Sequence, residues 1–163
     1  MKKRVSCLLL AIFLILSLFG CTDRHHAGAD TGTDAVYLTE SSTADEAPDV
    51  DGSYTSKEDV MNYLIYYGRL PGNFITKKEA KKLGWHGGGL DDYAPGMCIG
   101  GDRFGNYEGL LPDVEGRTYY ECDIDTMGKK KRGAKRIIFS DDGQIYYTDD
   151  HYRSFTLLYG DDE

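Results

Sequence analysis

Lys135-Arg136-Ile137-Ile138-Phe139-Ser140-Asp141-Asp142-Gly143-Gln144-Ile145-Tyr146-Tyr147-Thr148 is the stretch on which the fold turns. Both arms are rich in β-branched and aromatic residues, and Asp142-Gly143 supplies the chemistry of a tight hairpin turn. Strands are therefore expected at 135–140 and 144–148. Similar runs at 97–101, 118–124 and 154–159 bring the set to five. Upstream the period changes. Ser56-Lys57-Glu58-Asp59 has the form of a capping box, and Val60, Met61, Leu64 and Ile65 follow at helical spacing until Gly68 and Pro71. Thr76-Lys77-Lys78-Glu79 is a second capping box, opening a short helix that stops at Gly84, and 86–96 is Gly-rich and turn-like. Helices first and consecutive strands after predict an α+β domain, with N-terminal helices packed on an antiparallel β-sheet.

The ends of the chain read differently. Residues 1–20 start with Lys2, Lys3 and Arg4 and continue in a short apolar run, as a secretory signal does. Leu18-Phe19-Gly20-Cys21 looks like a bacterial lipobox, so Cys21 is the expected lipidation site and the acyl chains the only membrane contact. Residues 21–53 are expected to be an acidic flexible linker, with eight acidic side chains against Arg24 and few large apolar ones. His25 and His26 within it read as incidental. The folded domain is then 54–163. An exported product meets an oxidising compartment, where Cys98 and Cys122 form an even pair and a disulfide between them is expected.

The chain has 163 residues and a net charge of −8, which argues against coating nucleic acid by bulk charge. Most of that excess belongs to the linker. Lys129-Lys130-Lys131-Arg132, with Lys135 and Arg136, is the one dense basic cluster, and it reads either as a solvated loop or as a phosphate site. In the strand 118–124, Thr118, Tyr120, Cys122 and Ile124 share one face, expected to be the core. Tyr119, Glu121 and Asp123 share the other, where spacing alone makes Glu121 a solvated carboxylate. His151, after Asp149-Asp150, reads by itself as a surface loop histidine. Gly87-Gly88-Gly89 is not a phosphate-binding P-loop, because no Gly-Lys-Ser/Thr follows. No Cys/His spacing suits structural zinc, and no metal or other cofactor is expected.

A series of short motifs in order resembles the barnase-like, guanyl-preferring microbial ribonucleases over roughly residues 57–159. It comprises Leu70-Pro71, Ile75-Thr76-Lys77, Leu83-Gly84-Trp85, Ala94-Pro95-Gly96, Ile99-Gly100-Gly101-Asp102, Glu108-Gly109, Gly116-Arg117-Thr118 and Asp149-Asp150-His151-Tyr152. The resemblance implies the microbial ribonuclease fold, with RNA bound on the sheet face away from the helices. Position by position it puts the general base at Glu121 and the general acid at His151. The phosphate-binding arginines fall at Arg132 and Arg136, with one extra residue in the loop before Arg132, and the helix-start lysine at Lys77. Guanine recognition falls on the loop Phe104-Gly105-Asn106-Tyr107-Glu108, and Tyr152 matches a base-stacking tyrosine. Asp102 and Asp123 take structural roles, Asp123 by pairing with the arginines.

Tyr107 departs from the pattern, since the family carries an arginine there. The change removes a positive charge from the base site and from the surface that barstar, the family's inhibitor, binds, which weakens the expectation of such a partner. The glycine-rich segment after Trp85 is also shortened. The expected function is an extracytoplasmic or lipid-anchored, monomeric endoribonuclease, cleaving single-stranded RNA 3′ to guanine by way of a 2′,3′-cyclic phosphate. Two alternatives stay open: a non-catalytic RNA- or protein-binding module on the same fold, and an antibacterial toxin using the same chemistry.

Overall fold

The computed structural model describes residues 47–161, so the signal segment, Cys21 and most of the acidic linker lie outside the described residues. The elements run α1 (Lys57–Tyr67), β1 (Phe74–Ile75), α2 (Lys77–Lys82), β2 (Cys98–Phe104), β3 (Tyr119–Asp123), β4 (Arg136–Ser140), β5 (Ile145–Thr148) and β6 (Thr156–Tyr159). The sheet follows chain order, β1 to β6. The hairpin forms as its turn chemistry requires: Gly143 takes a φ of 100°, and its amide donates to the Ser140 carbonyl at 3.2 Å. Every pairing from β2 to β6 is antiparallel. β1 pairs parallel with β2, a two-residue strand too short to leave a periodic signal in the sequence.

Ser56 caps α1, accepting the Asp59 amide at 3.1 Å, but its hydroxyl also donates to the Asp59 carboxylate. The full reciprocal capping box forms at α2 alone among these two helices, where Thr76 and Glu79 each bond the other's backbone. Gly68 then ends α1 in the left-handed region, its amide donating to the Leu64 carbonyl.

Both sheet faces are covered. On one, Val60 and Leu64 of α1 pack against Cys122, Ile124, Ile137 and Ile145. The opposite face carries Leu111, Tyr119, Ile138 and Tyr146, flanked by Phe104, Tyr152, Phe155 and Leu157. The face expected to be polar is thus an aromatic floor, and Glu121 and Asp123 are buried in it. A third cluster joins Ala80, Trp85, Leu90 and Ile99 beside α2.

A bulge at Gly101 sets which side chains reach that floor. Gly100 pairs with Cys122, yet Asp102 pairs with Glu121, leaving Gly101 unpaired at a φ of 88°. One inserted residue shifts the alternation, so Gly100 faces the α1 core while Asp102 and Phe104 face the other side.

The expected disulfide is absent: Cys98 and Cys122 are both free, buried thiols. The ladder sets Gly100, not Cys98, opposite Cys122. That offset makes the two cysteines diagonal neighbours, at about 7–8 Å in a regular sheet, beyond the usual span of a disulfide. Cys98 instead lies 3.7 Å from the Thr55 hydroxyl. Burial pushes both thiols up from their ordinary value.

The domain also begins earlier than position 54. Tyr67, Tyr63 and Tyr54 donate their hydroxyls to the carbonyls of Pro48, Val50 and Asp49 at 2.6, 2.9 and 3.1 Å. Residues 48–50, assigned by composition to the linker, are held by these polar contacts, which a hydropathy pattern does not register.

Gly100 offers a test of the packing. A Cβ there would lie 2.7 Å from both the Cys122 Cβ and a Phe74 ring carbon. Gly100→Ala is expected to cost about 1–3 kcal/mol by overpacking, read as a lower urea midpoint. Gly72→Ala, with open space around it, should change stability by less than about 0.5 kcal/mol.

Candidate active site

Strand β3 forms the axis of the site, running from Tyr119 past Glu121 to Asp123. Lys77 is brought to it by the start of α2. The capping box fixes that helix end, and the Lys77 amide donates to Asp102 Oδ2 at 2.8 Å. Asp102 in turn faces Glu121 across the β2–β3 ladder, so the Lys77 ammonium meets Glu121 Oε1 in a close ion pair. The other oxygen, Oε2, accepts from the Tyr152 hydroxyl at 2.5 Å. Burial alone would raise the Glu121 pKa. Hydrogen bonds from Lys77 and Tyr152, with the charges of Lys77 and Arg132, outweigh it and hold the carboxyl below its ordinary 4.5. Burial, and then the same contact, push the Tyr152 phenol well up.

Two residues along the strand, Asp123 binds two guanidinium groups. Arg132 grips it in a fork, Nε to Oδ2 at 2.6 Å and Nη2 to Oδ1 at 2.7 Å. Arg136 Nε stands 2.9 Å from Oδ1 and also donates to the Tyr152 hydroxyl at 3.1 Å. Its remaining nitrogens donate to the carbonyls of Lys135, Arg132 and Gly133. Arg136 is only 2 % exposed. The expectation of a second phosphate-contacting arginine is therefore met by a sealed side chain that fixes the loop and Tyr152 from beneath. Arg132 is partly open and lies over the Trp85 ring, 5.7 Å from its centroid.

His151 is exposed, in the connection between β5 and β6. Both His151 and Tyr152 occupy the left-handed region, at φ of 61° and 70°, where residues with a Cβ are strained. Asp150 braces that turn. Its carboxylate accepts from the Thr148 and Ser154 hydroxyls and from the Arg153 and Ser154 amides. Those bonds, the Ser154 hydroxyl foremost, lower its pKa to about 2. The Tyr152 amide donates to the Thr148 hydroxyl, and the Tyr152 ring stacks on Phe104 at 5.5 Å.

The loop after β2 closes the site. Asn106, at a φ of 45°, clasps Leu111 with both ends of its amide, at 2.9 and 3.0 Å. Its side chain shapes the loop, so a ligand there would meet backbone rather than the amide. The Tyr107 side chain lies over Gly105 while remaining 94 % exposed. Phe104, Asn106, Tyr107, Glu108, Glu121, His151 and Tyr152 line one open cavity of about 640 Å³. The residues expected to recognise a base and those expected to move protons thus share a single space.

Trp85, Thr148 and Asp150 support the site without having been assigned a role by spacing. Trp85 and Asp150 stood inside recognised motifs, but their work as a guanidinium shelf and a turn brace depends on neighbours distant in sequence. Among the described residues no group of three or more His, Cys, Asp or Glu could hold a metal ion. The arrangement pairs an ionised, buried carboxylate with an exposed imidazole across a cavity, beside a lysine and an arginine. It can accept a proton at one side of an anion and donate one at the other.

A family model for ribonuclease matches residues 58–159. A ribonuclease of Bacillus intermedius is 39% identical over 162 residues, covering 97% of this chain and 99% of the relative. One of Bacillus pumilus is 50% identical over 101 residues, 61% of this chain and 62% of the relative. Guanyl-specific ribonuclease St of Saccharopolyspora erythraea is 44% identical over 57 residues, 35% of this chain and 56% of the relative. The shared span contains the helices, the sheet and each side chain around the cavity, and the chain belongs to the ribonuclease family.

Proposed function

We propose that this protein is an exported endoribonuclease that cuts single-stranded RNA 3′ to guanine, without a metal, through a 2′,3′-cyclic phosphate. The observation that carries the reading is Glu121 and His151 facing one cavity, the carboxyl held ionised and the imidazole open to solvent. Glu121 removes the proton of the 2′-hydroxyl, whose oxygen attacks the adjacent phosphorus while the bond to the 5′-oxygen breaks. His151 gives its proton to that departing oxygen. In the second step His151 takes a proton from water, the water oxygen opens the cyclic ester, and Glu121 returns its proton to the 2′-oxygen. Lys77 and Tyr152 leave lone pairs free on the carboxylate, so the 2′-hydroxyl can be accepted as a further donor. Lys77 and Arg132 stabilise the charge that gathers on the phosphoryl oxygens. Arg136 and Asp123 hold Arg132 and Tyr152 in place.

Guanine preference is supported by the guanyl-specific relative and by Phe104 and Glu108 on the cavity wall. Phe104 offers a stacking face and Glu108 an acceptor for the base's donor edge. Export, with lipid attachment at Cys21, rests on the basic start and apolar run of residues 1–20.

Cleavage of a GpN dinucleotide should proceed in EDTA and release the 2′,3′-cyclic nucleotide before the 3′-phosphate. His151→Ala should lower kcat by about 10²–10⁴-fold; an unchanged rate would remove His151 from the mechanism. The acidic limb of kcat/KM should lie below pH 4.5, because Glu121 must be ionised and its pKa is lowered. Tyr152→Phe deletes one donor to that carboxylate while leaving burial in force, so its pKa rises and the acidic limb moves to higher pH. A limb that stays put or moves lower would show that this hydrogen bond does not tune the base.

A further inference from the structure

A second open cavity, of about 700 Å³, lies between the C-terminal end of α1, the β4–β5 hairpin and the end of β6. It shares no lining residue with the cavity that holds Glu121 and His151. Leu64, Ile65 and Gly68 form its α1 wall, and Leu158 and Tyr159 its β6 wall. Leu64 and Leu158 also pack in the core cluster under α1, while Ile65 and Tyr159 remain 40 % and 48 % exposed. No lysine, arginine or histidine lines the space.

The polar groups around it that lack partners are all acceptors. The C-terminal end of a helix carries partial negative charge on its unpaired carbonyls. The last turn of α1 holds no basic residue, and the Gly68 cap amide donates to the Leu64 carbonyl. Among the described residues nothing donates to the carbonyls of Ile65, Tyr66 and Tyr67. Arg69, the next cation along the chain, lies instead over the Tyr63 and Tyr67 rings. Gln144 is 7 % exposed, and its Nε2 donates to the Asp161 carbonyl at 3.3 Å. Its Oε1 is buried without a donor, a state that costs free energy until an N–H meets it. A Cβ at Gly160 would stand 2.4 Å from that oxygen, so the glycine keeps a side chain off it. Asp142 is already engaged by Arg117 and the Ser140 hydroxyl, but the Asp161 carboxylate has no ion pair among the described residues.

Apolar walls combined with acceptors and no cation fit one chemistry, a protonated amine on a short hydrocarbon chain. The hydrocarbon displaces water from Leu64, Ile65 and Leu158. The ammonium brings positive charge and three donors to the helix end, the Gln144 oxygen and Asp161, and Tyr159 offers it an aromatic ring. We propose that this cavity is a binding site for an alkylammonium group, carried by a free diamine or by a lysine side chain of another protein. Occupancy ties α1 to the edge strand β6 and stabilises the fold while leaving the catalytic cavity open. The site stands independently of the ribonuclease reading.

Titration of the full chain with cadaverine, followed by backbone amide NMR shifts and by the urea midpoint, tests the site. Pentanol and pentanoate, of the same chain length, are the neutral and anionic counterparts, and N-acetyl-lysine amide stands for a protein lysine. Cadaverine should saturate at about 1 mM and bind about tenfold more tightly than pentanol. It should shift the amides of Ile65, Gly68, Gly143 and Gly160 and raise the urea midpoint. Gln144→Met removes the unpaired acceptor with little change in volume, and Asp161→Asn removes the charge. Each should weaken cadaverine about threefold to tenfold while GpN cleavage is kept; if the buried Gln144→Met variant does not fold, Asp161→Asn decides. Saturation by both amines supports the site, and saturation by one of them alone assigns it to that source. Pentanol or pentanoate binding as tightly as cadaverine would overturn the ammonium site. Unchanged affinity in the folded variants, or shifts confined to the residues around Glu121, would overturn it too.

Discussion

The buried pairing of Asp123 with Arg132 and Arg136 is the constraint on which the site depends. Asp123 and Arg136 are 1 % and 2 % exposed, so both charges have left water almost completely. Stripping water from an ion costs several kcal/mol, and a single Coulomb contact often fails to offset it. Here the remaining donors are matched as well, to the Tyr152 hydroxyl and to three carbonyls of the 132–135 loop. One guanidinium therefore fixes the end of β3, the basic loop and the β5–β6 turn at once.

Glu121 shows the same competition resolved for chemistry. Burial opposes its charge, and the donors Lys77 and Tyr152 restore it. A carboxylate held by such donors is ionised at low pH but is also a weaker base. The geometry trades proton affinity for a fixed position beside the cavity. His151 sits under the opposite condition, exposed on a strained turn, with Asp150 taking up the cost of that backbone through its hydrogen bonds. Rigid support lies below the site and access lies above it.

Much of the fold could be read from local chemistry. The Asp142-Gly143 turn, the Thr76–Glu79 capping box and the glycine end of α1 are short-range devices, and each forms as its residues dictate. The family resemblance also brought Glu121, His151, Lys77 and Arg132 to notice, though spacing alone left Glu121 and His151 as surface groups. What escaped were features whose cause lies across the sheet. Gly101 has a sequence like any other glycine, yet its bulge turns Asp102 and Phe104 toward the site. The tyrosine hydroxyls that hold residues 48 and 50 belong to a helix further along the chain. Cys98 and Cys122 looked like a pair by count, and register separated them. Arg136 looked like a ligand for phosphate, and burial made it a brace.

The amino-acid sequence by itself determined the order of elements, the residue types available to the site and the concentration of positive charge in one loop. It did so because turns, caps and charge runs act over a few residues. Tertiary structure decided which carboxylate is buried and which arginine is sealed. Those outcomes follow from desolvation and from strand register, and both depend on what the rest of the chain places alongside each group.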